Sequence, residues 1–499
     1  MINELEILSG LLLYLVAMLA VGLLCYRYMR TLDDFVLGGR RLGPWVAAIS
    51  ERASGESAWF LLGLPGAAYG LGFTQYWSVI GIASGILASW TFIAIPLRKE
   101  TARMGALTIP DYFELKFKDS TRILRVLSMV SILLFYTAYV AAQLHGAGKI
   151  LNATFGIPRL WGIVIGGVVV VAYTLMGGFL AVAWTDLIQG ILMSIVAVAL
   201  PIVGVWEMGG FGRLIADLHN APNGYLSMSG GQVGYAFLFG VAVGGLSWGF
   251  GYLGQPHLLT RYMAIRKTSE LRQGGVIAMG WTLISYWGAP LIGIVGLAVL
   301  GPGLKDPEQV MPILAKTLMP GWLAGIMIAG ATAAMMSTAD SQLLVATSTL
   351  VEDVYVRLFR PKASPGRLVL LSRLATVLIS LVAFGLALMA LFGSRLIDGM
   401  VAYAWTGLGA SFGPPLLLSL WWKGTTRRGV LAGMVGGMAA TIVWQNSVAI
   451  TGLLGASPAL NFNDFLDIKA GPVIISGFLV AAFSLMDRAR EGPGLLSPS

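Results

Sequence analysis

Apolar residues dominate this chain in long stretches, and polar residues collect between those stretches instead of alternating with them. About 20 consecutive apolar residues are enough for a helix to cross the ~30 Å hydrocarbon layer of a bilayer. Length and hydropathy predict thirteen such spans, at roughly 5–28, 43–70, 73–97, 123–151, 158–176, 181–206, 232–257, 273–301, 320–351, 367–393, 397–422, 428–453 and 471–487. The fold expected is an all-α polytopic membrane protein.

Three spans depart from the plain apolar pattern. The second carries ISERASGESAW, placing Glu51, Arg52, Ser54, Gly55, Glu56 and Ser57 at membrane depth. The seventh reads FLFGVAVGGLSWGFGYLGQPH, with glycines at 240, 244, 245, 249, 251 and 254 before Pro256. Unwound backbone at that depth is tolerated only where protein covers it or it lines a cavity. In the ninth, Ala334, Ser337, Thr338 and Ser341 recur at i, i+3, i+4 and i+7 and share one helix face, with Asp340 on its flank. A carboxylate near the bilayer centre costs roughly 3 kcal/mol on insertion scales, so Asp340 is expected to face protein, water or an ion.

The two interrupted spans lie an odd number of crossings apart and so run in opposite senses. Broken helices at matching places in two opposed halves are the mark of an inverted repeat with its site at the break. The division expected is an extra N-terminal helix and loop (1–42), a first repeat (43–230), a second repeat (231–422), two further helices (423–487) and a tail (488–499), the last rich in Gly, Pro and Ser and read as disordered. The 104–121 stretch reads as an amphipathic connector.

Composition supports this class. The chain is 57% hydrophobic and 11% charged, against about 25% charged in soluble domains. Of its 33 Lys and Arg, 25 fall in the loops or tail of one side, counting Arg125 and Arg261 among them; 7 fall on the other, and Arg52 lies inside a span. That asymmetry puts the N-terminus outside and the C-terminus in the cytoplasm of a plasma membrane, with the bilayer as surroundings. The net charge of +9 is therefore a topology signal, dispersed over short loops, and no nucleic-acid groove is expected. One cysteine and three scattered histidines exclude an internal disulfide and a multi-Cys metal centre. No nucleophile, base and orienting group stand out together, so an enzyme is not expected.

Hydroxyls beside a carboxylate form a hard-oxygen surface suited to an alkali cation. Carbonyls freed around Ala53 to Glu56, set against Ser337 and Thr338, would complete a five-oxygen site. The competing reading is that these hydroxyls merely bond carbonyls of their own helix. Asp186, in AVAWTDLIQG, is either a buried paired or ion-bridging carboxylate or an interfacial helix-start Asp. Glu51 and Arg52 read as an intramembrane pair or as an Arg reaching the interface. For Glu56 three roles stay open: meeting a substrate ammonium, titrating as a proton site, or lending only its carbonyl while its carboxyl finds a local partner. Trp59, Tyr139, Trp248 and Tyr252 suit the wall of a small amphipathic solute site, or ordinary packing.

The runs YRYMRTLDDFVLGGRRLGP, LGLPGAAYG, ALTIPDYFELKF, GGFLAVAWTD, WGFGYLGQPHLLTRYMA, MSTADSQLLV and AYAWTGLGASFGP, in that order, resemble the sodium/solute symporter family, nearest its sodium/proline branch. The resemblance implies a leucine-transporter-type fold with a five-plus-five inverted repeat, and Na⁺-driven symport of a small organic solute by alternating access, with no cofactor beyond the coupling ion. It places the main sodium site at the carbonyls of Ala53, Glu56 and Ala334 and the hydroxyls of Ser337 and Thr338. A second cation site of some relatives maps onto Asp186, Ser337, Asp340 and Ser341, and the substrate region onto Trp59, Tyr139, Trp248, Tyr252 and Pro256, to which Glu56 is added from its place at the break. Proline or a related amino acid is the solute implied. The chain departs from the branch at Gly55, where proline symporters carry Asp; Glu56 holds the only carboxylate at the break. The rivals are proton coupling through Glu56 or Asp340, and a transport-like sensor or channel.

Overall fold

A computed structural model describes residues 4–26, 37–176, 178–359, 365–392, 396–454 and 460–491. The loop cations Arg27 and Arg30, Arg395 and the tail beyond 491 lie outside the described residues. The tail was expected to begin at 488, but the last helix continues to Glu491.

The bundle helices are α1 (Glu4–Tyr26), α2 (Pro44–Ala58), α3 (Leu64–Leu71), α4 (Tyr76–Ala88), α5 (Ala94–Met104), α6 (Ile123–Phe155), α7 (Arg159–Met176), α8 (Phe179–Glu207), α9 (Pro256–Ala264), α10 (Glu270–Leu300), α11 (Gly321–Ser348), α12 (Pro365–Phe392), α13 (Ile397–Trp421), α14 (Arg427–Gln445), α15 (Ser447–Leu453) and α16 (Gly471–Glu491). Among the described residues, eight helical stretches have the length and apolarity to cross a membrane, or nine if the bent pair Ala236–Gly251 and Pro256–Ala264, which meet at 47°, forms one span. One of the eight, Pro44–Met104, runs 61 residues. At 1.5 Å per residue that is about three bilayer cores, so it folds back on itself, and Gly72 (φ 62) makes the turn. With that stretch counted as two crossings, length and apolarity account for nine or ten crossings among the described residues and do not establish thirteen. The other expected spans coincide with α7, α13 and α14, which are shorter or less apolar. The span expected at 428–453 is two helices, divided at Asn446.

Glycine sets how closely the helices approach. A Cβ on Gly249 would lie 2.3 Å from the Gly81 carbonyl oxygen of α4, and one on Gly85 would lie 2.2 Å from the Gly249 oxygen. The interrupted seventh span is therefore pressed backbone to backbone against α4, which no side chain would permit. A parallel bridge between Leu42 and Ile265 joins the chain entering α2 to the chain leaving α9. The two broken spans are in this way tied together at one end.

The 104–121 connector holds the helix Ile109–Lys116, whose Ile109 to Phe113 are buried. Arg125, counted by sequence among the loop cations, is 2% exposed and pairs with Asp111, Glu114 and Asp353. This ties α6 to the connector and to the wide π-type turns that continue α11 over Thr349–Phe359.

Candidate cation and solute site

The second span breaks at Ser57. The sequence points to Ala53–Glu56, yet those residues keep helical dihedrals and the interruption comes one residue later, where Ser57 takes φ 59, ψ −179. That region is almost closed to residues other than glycine and costs on the order of 1–3 kcal/mol. The break redirects two amides. In a regular helix Ser57 N–H would bond to the Ala53 carbonyl and Ala58 N–H to that of Ser54. Here Ser57 N–H donates to Thr338 Oγ1 (2.9 Å) and Ala58 N–H to Gln143 Oε1 (2.8 Å).

The carbonyls left behind face α11. Ser337 Oγ donates to the Ala53 oxygen at 2.9 Å and lies 3.2 Å from the Ala334 oxygen; Thr338 Oγ1 donates to the Ser54 oxygen at 3.0 Å. Ala53, Ala334, Ser337 and Thr338 thus converge. The Glu56 carbonyl accepts from the Trp59 amide, and it is the Ser54 carbonyl that stands beside Thr338. Ser54 also accepts from His257, whose other ring nitrogen meets the Tyr136 hydroxyl at 2.9 Å.

The Glu56 carboxylate finds local partners. It accepts from the Tyr286 hydroxyl of α10 and lies 3.5 Å from Arg52 Nη1. Glu51 pairs with the same guanidinium and also accepts from Trp90 Nε1 and Tyr262 OH, both at 3.1 Å. Glu51 and Arg52 are entirely buried, so Arg52 does not reach the interface.

Asp186 is likewise buried, two turns inside α8, which removes the reading of an exposed helix-start Asp. Its Oδ2 accepts from Ser50 (2.7 Å), Ser54 (2.8 Å) and Arg261 Nη2 (3.0 Å). Arg261, taken in sequence for a loop cation, sits in α9 with no solvent exposure. Ser341 meets Ser54 at 2.9 Å and accepts from Arg261 at 2.6 Å. Asp340 is buried beside Ser341, and the charges of both Asp186 and Arg261 act on it.

The aromatic residues form two linked groups. Trp59 packs on Trp248 with ring centroids 4.4 Å apart, while Trp405 of α13 stands edge-on to Tyr252 (4.7 Å) and Tyr139 (6.4 Å). The Arg52 guanidinium lies 5.0 Å from the Tyr252 ring centre. Pro256 opens α9 and lines a separate small pocket with Thr108, Ile109 and Phe179. Trp248 and Asp398 contribute to the wall of a cavity of about 510 Å³ bordered also by Asp467 and Lys469. Behind them Trp59 donates Nε1 to Asp398 at 2.7 Å. The backbone amides of Ile397 and Asp398 in turn donate to Glu308, which pairs with Lys149. Burial pushes the Glu308 carboxyl above the ordinary range, with Lys149 and the two amides opposing it.

Sequence reasoning passed over Gln143, Tyr286, Trp405 and Asp398. Trp405 lies within AYAWTGLGASFGP, and Arg261 and His257 within WGFGYLGQPHLLTRYMA, so the motifs marked the segments without marking these side chains.

Residues 35–437 match the profile of the sodium:solute symporter family. The chain belongs to that family. It is similar to the high-affinity proline transporter PutP of Bacillus subtilis (strain 168), 43% identical over 436 residues, covering 86% of this chain and 90% of that protein. It is 38% identical over 440 residues to the sodium/proline symporter of Escherichia coli (strain K12), covering 87% of this chain and 86% of the other. Among solved structures, a Na⁺-coupled sialic acid symporter in a substrate-bound outward-open state superposes with a TM-score of 0.75 at 22% identity, over 96% of this chain and 98% of that one. MhsT in complex with L-phenylalanine gives a TM-score of 0.55 at 15% identity, over 89% and 97%. The fold of this symporter is of the leucine-transporter type. As a member of the family it is a multi-pass membrane transporter and not an enzyme.

Proposed function

We propose that this symporter couples the inward movement of Na⁺ to uptake of proline or a closely related amino acid by alternating access. The observation that carries the reading is the pair of carbonyls, Ala53 and Ser54, left open by the break at Ser57 and met by Ser337 and Thr338. Hydroxyl and carbonyl oxygens at such a break are the ligands of choice for a dehydrated alkali ion. Entry of Na⁺ would turn both hydroxyls from donors into ligands, trading two interhelical hydrogen bonds for ion contacts that clamp α2 to α11. In this reading Ala53, Ala334, Ser337 and Thr338 hold the ion, with either the Glu56 or the Ser54 carbonyl as fifth ligand. Solute lies against Trp59, Tyr139, Trp248 and Tyr252, near Glu56 and Pro256. The names of the relatives favour proline as that solute.

The repeats (43–230 and 231–422), the N-terminus-out orientation and placement in the plasma membrane belong to the same proposal. Na⁺ binding would steady the open-outward state and raise the affinity for solute, and by linkage solute raises the affinity for Na⁺ by the same factor. Uptake of radiolabelled proline into proteoliposomes, with and without an inward Na⁺ gradient, tests the reading; uptake indifferent to the gradient would refute it. A pH gradient imposed without Na⁺ tests the proton-coupled rival through Glu56 or Asp340. Competition by other amino acids, sugars and carboxylates at constant Na⁺ defines the solute.

A further inference from the structure

The Asp186 pocket already contains a cation, and it is part of the chain. Arg261 donates Nε to Ser50 Oγ (3.1 Å) and Nη1 to the His257 carbonyl (2.7 Å), and the two hydrogens of its Nη2 are shared among Ser54 Oγ (2.8 Å), Asp186 Oδ2 (3.0 Å) and Ser341 Oγ (2.6 Å). Five oxygens from α2, α8, α9 and α11 therefore surround one buried positive charge. Their number and kind are what an alkali ion would require, and the guanidinium spans them through Nε, Nη1 and Nη2, with the Nη2 hydrogens shared among three oxygens, without losing its charge.

We infer that Arg261 takes the place of a second dissolved cation, so that one exchangeable Na⁺ accompanies each solute. The inference rests on the sodium-coupled reading above. It follows from charge and space together. A Na⁺ in the same ring of oxygens would stand within a few ångströms of the guanidinium in a site closed to water, where like charges repel with little screening. Asp186 meanwhile loses its need for an ion, because Arg261 supplies the compensating charge. Asp340 contributes none of the five contacts, so it is not part of this ring. Ser54 joins the two sites: its hydroxyl serves Arg261 and its carbonyl serves Thr338. The tethered cation travels with α9, which starts at the break in the seventh span, so movement of that helix withdraws charge from Asp186 without releasing an ion.

Equilibrium binding of radioactive Na⁺ to the purified full-length protein tests this, read with the Na⁺ dependence of its melting temperature. The wild type is expected to bind one Na⁺ per chain with a Hill coefficient of about 1. Arg261→Ala opens the ring and is expected to bind two, with the Hill coefficient rising toward about 2, whereas Arg261→Lys stays at one. Two Na⁺ per wild-type chain, or one in a folded Arg261→Ala protein, would overturn the inference. If Arg261→Ala fails to fold, the pair Asp186→Asn with Arg261→Gln takes over. The double variant should be more stable than either single one and bind one Na⁺; a double variant no better than its parents also overturns it. A wild type that binds no Na⁺ at all refutes sodium coupling itself, a result distinct from a count of two.

Discussion

Ser337 on α11 donates its hydroxyl to the Ala53 carbonyl of α2 across 2.9 Å, and that carbonyl is available because the Ser57 amide has turned to Thr338. The two contacts are one event seen from both ends. A single residue with φ near +60° opens the helix ladder, and a neighbouring helix supplies hydroxyls to the opened groups. The break is thus held by α11, and the same hydroxyls are the ones an entering ion would recruit.

Thr338 has two duties and Ser337 one. Thr338 Oγ1 accepts from Ser57 N–H and donates to the Ser54 carbonyl, so Thr338→Ala strands a buried amide as well as removing a ligand. Ser337→Ala is expected to raise the Na⁺ concentration for half-maximal uptake about tenfold, or ~1.4 kcal/mol, and to lose about 1 kcal/mol of stability through the Ala53 carbonyl left without its donor. Thr338→Ala should add about 1–3 kcal/mol of lost stability, while Thr338→Ser restores most of both. Na⁺-dependent uptake and thermal melts on the same preparations separate the two effects; equal melts for the alanine variants would contradict this division of labour.

The strain at Ser57 gives a second expectation. Ser57→Gly relieves a backbone cost of about 1–3 kcal/mol but loses the Trp59 amide bond to Ser57 Oγ and gains unfolded-chain entropy, so it should fall within about 1 kcal/mol of the wild type. Ser57→Val places a branched Cβ in the same conformation at a fully buried position and should cost at least ~2 kcal/mol. Melting temperatures decide it, and a valine variant as stable as the glycine one would mean that the break is not held at Ser57.

Arg52 is the hub of a buried charge cluster, not a lone cation. Arg52→Met leaves Glu51 and Glu56 buried without compensation and is expected to cost about 3–5 kcal/mol, lost as yield of folded protein. Glu56→Gln keeps an acceptor for Tyr286 and leaves Arg52 paired to Glu51, so its cost should be only about 1–2 kcal/mol. Folded yield by gel filtration separates the two. Gradient-driven uptake by Glu56→Gln, with Na⁺ and with a pH gradient in turn, tests whether that carboxyl carries a proton.

Local pattern revealed the breaks but not their partners. The polar run at 50–57 and the glycines at 240–254 stood out because a lipid-facing helix cannot carry them. The face shared by Ser337 and Thr338 followed from helical spacing alone. Three things were hidden for one physical reason: they depend on contacts distant in sequence. Arg261 lies near a basic loop, and only packing shows that α9 carries it beneath α2 and α8 to Asp186. Which residue breaks α2 is decided by Thr338 and Gln143, on helices far along the chain, and not by the glycine at 55. The Trp59–Asp398 bond spans 339 positions, and no periodicity reports such a pair.

Glu308 makes stability depend on pH. Its carboxyl is held above the ordinary value of 4.5 in the folded state, burial being the largest cause. The folded protein therefore binds this proton more tightly than the unfolded chain does. The resulting stabilisation is fully present below the ordinary value and is lost as pH rises through the folded one. Lys149→Met removes the charge that opposes the effect, so this window should widen upward. The variant is expected to lose on the order of 3 kcal/mol at neutral pH and to recover toward the wild type in acid. Melting temperatures of both proteins across mildly acidic to neutral pH check the sign; a deficit that grows on acidification would exclude Glu308 as its source.

The broken seventh span can move only as far as its contact with α4 allows, and that contact is made of backbone. Gly249→Ala would thrust a methyl group to 2.3 Å from the Gly81 carbonyl, which cannot swing aside as a side chain can. Helix separation or a shift of the 244–251 segment must follow, with a loss of about 1–3 kcal/mol. Gly240→Ala, in the same stretch but with open space around its Cβ position, is the control and should be neutral or slightly stabilising. The decisive readout is solute uptake normalised to folded protein. Because Trp248 and Tyr252 flank Gly249 and belong to the proposed solute wall, displacing this turn should impair uptake in Gly249→Ala protein that still folds, while Gly240→Ala transports normally. Equal uptake by the two variants would show that close packing against α4 is not what positions the solute wall.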